Sequence, residues 1–130
     1  MLCGVGQFTR LLQDAIEKIE PGACTALTLT RMEGPIGEIW RAVGDAQSVV
    51  CNFPIVAWKR VIVRPLLALV FARLRRRKVV LIQHEWAGLN WMRRITYAPA
   101  LWLADTIVMF SPLVRQELAD DPVMRAMVRK

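Results

Sequence analysis

The chain holds one histidine, in His84-Glu85-Trp86, directly after the apolar run Lys78 to Gln83 (KVVLIQ). An imidazole has an unperturbed pKa of about 6.5, so it can hydrogen-bond a substrate or exchange a proton with it near neutral pH. The competing reading is a core histidine satisfied by backbone. A second feature is Gly4-Val5-Gly6, ahead of a helical pattern. Glycines at a helix entry let backbone N–H groups approach an anion closely, although a plain turn needs the same residues. The third is Phe110-Ser111-Pro112, in which Ser111 suits a helix cap and could also touch a ligand. Ligands of open parallel sheets bind outside the carboxyl ends of the strands, so all three features are expected to meet at one edge. His84 is then the candidate catalytic group and Gly4, Val5 and Gly6 the candidate phosphate cradle. Glu85 and Ser111 are candidate lining residues of the cleft.

Other chemistries lack their residues. There is no GxSxG elbow, no Walker-type loop and no paired carboxylate set. Cys3, Cys24 and Cys51 are an odd number, without CxxC spacing or a paired histidine. They fit reduced thiols in a cytoplasmic setting better than a disulfide framework, and no metal or cofactor is expected.

The elements that must position these residues follow from hydrophobic periodicity. Phe8, Leu11, Leu12, Ala15, Ile16 and Ile19 fall on one face of a helix over Gln7 to Ile19. Strands are expected at Ala23 to Thr30, Ser48 to Phe53, Lys78 to His84 and Asp105 to Phe110, with Arg31 to Gly37 as loop. Helices are expected at Glu38 to Ala46, Val56 to Arg77 and Leu89 to Ala104, with a kink or two helices at Pro65 and another break at Pro99. A last helix should start at Ser111-Pro112 and end near Asp120-Asp121-Pro122. Strands alternating with helices imply an α/β fold, a doubly wound parallel sheet of about four strands in a single domain over residues 1–130.

Charge is unevenly placed along the 130 residues, which carry +7 overall. Residues 1–50 hold four Lys/Arg against six Asp/Glu, and residues 51–130 hold fourteen against five. Between Lys59 and Arg94 lie ten basic residues and one acid, Glu85. Lys59, Arg60, Arg73, Arg75, Arg76, Arg77 and Lys78 could meet an anionic partner such as a membrane surface, or form a solvated face. Trp58, Trp86, Trp91 and Trp102 lie in the same basic half, suited to core packing, to stacking or to a lipid interface. No motif for nucleic acid accompanies the charge. The most hydrophobic stretch, Pro65 to Ala72, is far short of the roughly 20 residues of a spanning helix.

The ordered set resembles the N-terminal half of GT-B-fold glycosyltransferases, the glycosyl transferases group 1. The matching segments are Cys3 to Arg10 (CGVGQFTR), Val49 to Pro54 (VVCNFP), Val79 to Trp86 (VVLIQHEW) and Leu103 to Ser111 (LADTIVMFS). Together they span Cys3 to Pro122. The resemblance implies a Rossmann-like half of a GT-B fold and transfer of a sugar from a nucleotide-sugar donor to a glycan or lipid-linked acceptor. By the same resemblance Gly4 to Gly6 lie near the donor diphosphate and His84 points into the cleft near the transferred sugar. Such a domain shapes the acceptor site, often with a basic surface for lipid-linked acceptors, which implies a cytoplasmic protein, peripheral at the inner membrane face. The family's first strand and its C-terminal donor-binding domain have no counterpart here, so the isolated chain is expected to be an inactive fragment. The alternative is a non-catalytic binding or scaffold domain of the same fold, acting at a membrane surface or with a partner.

Overall fold

The computed structural model describes residues 4–25, 35–53, 63–122, 124 and 125. Helix α1 (Gly4–Ile19) comes first, then α2 (Ile36–Asp45), β1 (Ser48–Phe53), α3 (Val63–Leu74), β2 (Lys78–Gln83), α4 (Trp91–Leu103), β3 (Thr106–Met109) and α5 (Pro112–Asp120). The three strands form one parallel sheet in the order β1-β2-β3, with Cys51 opposite Leu81 and Leu81 opposite Ile107.

Strand alternation sorts the sheet into two unlike faces. Val49, Cys51, Val79, Leu81, Ile107 and Met109 turn to a core shared with α2, α3, α4 and α5. On that side α2 packs on α3 and α3 on α4. The reverse face carries Asn52, Val80, Ile82 and Val108. Among the described helices α1 reaches it, with Thr9 Oγ1 accepting from Asn52 Nδ2 at 2.9 Å. Val50 and Val108 stay exposed there. Helices therefore flank both faces, but both crossover helices, α3 and α4, share one face. A strand order that never reverses has that consequence, so among the described strands there is no switch point of the doubly wound kind.

Several expectations need correction. Gly4-Val5-Gly6 is not a loop: it is the first turn of α1. Gly37, expected in a loop, lies in the first turn of α2. Pro65 is the third residue of α3, and residues 56–62 of the longer helix expected there lie outside the described residues. Pro99 lies inside α4 without ending it. It is exposed, so the Ile95 carbonyl it cannot serve is on the solvent side. Of the strand expected at Ala23 to Thr30, residues 23–25 are not strand and 26–30 lie outside the described residues, as do Lys59 and Arg60.

Candidate functional site

The carboxyl edge of the sheet gathers His84, Phe110 and the second turn of α1. Gln83 pairs with Met109, so the residues one step further, His84 and Phe110, leave the sheet together on the α1 face. Their ring centroids lie 4.9 Å apart. Phe8 of α1 closes the group edge-on, 5.2 Å from His84 and 5.1 Å from Phe110. This aromatic enclosure buries the Nε2 atom of His84, which has no hydrogen-bond partner. Burial pulls the imidazole pKa below its ordinary 6.5, against the opposing charge of Glu85. The neutral ring is thus the resting form at pH 7, able to donate or accept one hydrogen bond at each nitrogen as the tautomer allows.

Two further polar groups at this edge are short of partners. Asn52, 7% exposed, uses its amide nitrogen on Thr9 and leaves Oδ1 buried and unpartnered. Gln83, fully buried on the core face, donates to the Glu85 carbonyl and leaves Oε1 unpartnered. A buried acceptor without a partner costs on the order of 1–3 kcal/mol, and Arg75 Nε and Arg77 Nε at the opposite edge are unpartnered in the same way.

The loop after β2 holds His84 in place by a set of side-chain bonds. Trp86 is fully buried and its Nε1 donates to Asp121 Oδ2 at 3.3 Å. Arg94 of α4 donates from Nε to the Leu89 carbonyl at 2.9 Å and from Nη2 to the Ala87 carbonyl at 3.0 Å. Glu117 of α5 accepts from the Ala87 amide at 3.0 Å. Asn90 caps α4 by accepting from the Arg93 amide.

The other expected residues take different places. Glu85 is exposed beside His84, with its side chain near Gly88. The Ser111 hydroxyl accepts from the Leu113 amide at 3.2 Å, which is the capping role. Cys51 packs against the core, where burial pushes its thiol up to about 12, so it stays protonated and unreactive. Among the described residues no group of three His, Cys, Asp or Glu could hold a metal ion.

The basic cluster lies at the opposite, amino edge of the sheet. Arg73, Arg76, Arg77, Lys78 and Asp105 line an open cleft of about 500 Å³. Much of its charge is engaged. Arg73 pairs with Asp105, whose other oxygen accepts from the Val79 amide at 2.8 Å. Arg75 lies over the Trp40 ring at 4.1 Å, and Arg77 donates to the Gly44 carbonyl at 2.6 Å. Arg76 closes α3: it has a left-handed φ of 55°, its amide bonds Arg73 O, and the Arg77 amide bonds Ala72 O. That is a Schellman motif with arginine where glycine is favoured.

Sequence reading missed Asn52, Phe8 and Arg94. Asn52 had a signal, an amide inside an apolar strand; the others become visible only when α1 and α4 are docked. No protein family, no curated protein and no solved structure matches the chain.

Proposed function

We propose that the chain is the acceptor-side lobe of a GT-B-like glycosyltransferase, with the carboxyl edge around His84 as its share of the active cleft. The observation that supports this reading is the convergence of His84, Phe110 and α1 at one sheet edge, with His84 Nε2 and Asn52 Oδ1 both buried and unpartnered. Sugars present hydroxyls to such groups and C–H faces to aromatic rings, so Phe8 and Phe110 suit a pyranose rim. In the transfer, an acceptor hydroxyl attacks the anomeric carbon as the diphosphate departs. A lobe of this kind contributes hydrogen bonds that orient the sugar as charge develops. His84 would supply one such bond in its neutral form. The first turn of α1, Gly4 to Gly6, lies one turn before Phe8, and the N–H groups of a helix's first turn suit a departing phosphate.

The test is a titration of a nucleoside diphosphate and of a free hexose against the wild type and His84→Ala, followed by calorimetry. The proposal expects weak binding that the substitution reduces about tenfold, the effect of one lost hydrogen bond to a buried group. Binding by neither protein leaves a non-catalytic scaffold domain as the description of the chain.

A further inference from the structure

The amino edge of the sheet holds a cleft that the edge around His84 does not use. Arg73, Arg76, Arg77, Lys78 and Asp105 line it, and its volume of about 500 Å³ is that of a small-ligand site. The end of α3, the turn after it and the start of β2 bring the four cations together, and Asp105 enters from just before β3. The one carboxylate is already engaged. Asp105 pairs with Arg73 through one oxygen and accepts from the Val79 amide through the other. Arg76, Arg77 and Lys78 are left without a counter-charge among the described residues.

Two features mark these cations as placed for a ligand rather than spread for solvation. Arg77 is held in position: Nη2 donates to the Gly44 carbonyl at 2.6 Å, and Nε is a buried donor with no partner. Arg76 has a left-handed φ of 55°, which glycine adopts freely and an L-residue only at a cost. A cation thus stands where helix capping alone favours glycine. The Arg76 and Lys78 side chains are exposed, and neither has a hydrogen-bonded partner among the described residues.

The lining also selects the kind of anion. Every residue on it is charged, so no ring or aliphatic side chain is present to hold a base, a sugar face or an apolar residue of a peptide. The cations converge on one cleft instead of following a track, as a nucleic-acid backbone requires. Three uncompensated positive charges exceed the roughly two negative charges of a single phosphate group and match a short chain of them. Guanidinium forks suit phosphate oxygens two at a time.

We propose that the amino-edge cleft binds a linear polyphosphate, with Arg77 as the fixed fork and Arg76 and Lys78 meeting the outer phosphoryl groups. The assignment is independent of the sugar-transfer reading, because the cleft lies at the opposite end of the strands.

Calorimetric titration of the full chain with tripolyphosphate, pyrophosphate and inorganic phosphate, at fixed ionic strength, tests it. Tripolyphosphate should saturate one site and bind about tenfold or more tighter than inorganic phosphate. Amide NMR shifts should centre on residues 76–79 and 105. Arg76→Gly separates binding from folding: it should raise the unfolding midpoint by roughly 2–4 °C yet weaken binding about fivefold. Arg76→Gly/Lys78→Gln should weaken it about tenfold or more, while Arg10→Gln/Arg115→Gln, the same charge change at exposed positions on α1 and α5, leaves it within about twofold. Equal losses in the two double variants would mean that net charge alone attracts the anion, and overturn the proposal. Shifts confined to residues 4–8 overturn it by placing the anion at the other edge. Retention on phosphatidylglycerol vesicles that saturating tripolyphosphate fails to release assigns the cations to lipid headgroups and overturns it as well.

Discussion

Arg94→Met isolates what holds the loop that carries His84. The substitution keeps the hydrocarbon stem and removes the guanidinium. The Leu89 bond is part-buried and, with a charged donor, contributes about 1.5 kcal/mol; the Ala87 bond is exposed and contributes about half that. The pair with Asp121 spans 3.7 Å with an Arg94 side chain 34% exposed, so it adds little, on the order of 0.5 kcal/mol. Arg94 also lies 5.8 Å from the Trp86 ring, too far for a large cation–π term. The expected loss is therefore about 2–3 kcal/mol, or roughly 8–12 °C in the unfolding midpoint for a chain of this length. Arg94→Lys should recover less than half, because one ammonium on a flexible stem cannot serve two carbonyls as a planar fork does. Urea unfolding followed by circular dichroism gives the stability, and amide exchange over 84–90 shows whether the loss is centred on the loop. A change below about 0.5 kcal/mol, with exchange in the loop unaltered, would refute the clamp.

His84, the sole histidine, gives a single resolvable imidazole signal in a proton NMR titration. Its midpoint should lie below 6.5, because burial disfavours the charged ring. The unfolded chain then binds the proton more readily, so stability is fully present above pH 6.5 and falls as pH drops through 6.5 towards the lowered midpoint. Phe8→Ala should move the midpoint back up by removing part of the enclosure; a wild-type midpoint at or above 6.5 sinks the argument. Cys51 should resist thiol reagents until the protein unfolds, while Cys24, half-buried and outside any strand, reacts in the native state. Native-state labelling of Cys51 at a rate matching Cys24 would show that its thiol is not enclosed.

Periodicity placed β1 at its observed bounds and put β2 and β3 within a residue or two, because buried parallel strands need unbroken apolar runs. Pro99 misled for a definable reason: a proline is costly only where a donor is missed, and Pro99 faces solvent inside a continuous helix. Gly4 to Gly6 misled too, since glycine's freedom permits a loop without forbidding a helical turn. The meeting of His84 with Phe110 was legible from strand ends alone. That Phe8 would roof them was not, because it depends on α1 crossing the reverse face of the sheet. The arginine run was legible as charge, but its division into Arg75 on Trp40, Arg77 on Gly44 and Arg76 in a helix cap required the packing of α2 against α3.

The domain leaves two apolar surfaces open, and their chemistry differs. On the reverse face of the sheet, exposed Val50 stands beside Val80 and exposed Val108 beside Ile82. On α3 and α4, which contain no acid, Leu74, Trp91 and Trp102 are exposed. Trp91 begins α4 directly after the loop that starts at His84, and α4, 13 residues long, spans about 20 Å. Arg94 sits on α4 and grips the 84–90 loop, so Arg94→Met should weaken ligand binding at His84 by more than the loss of folded protein accounts for. Binding that falls only in proportion to the unfolded fraction would mean that the residue acts through global stability alone.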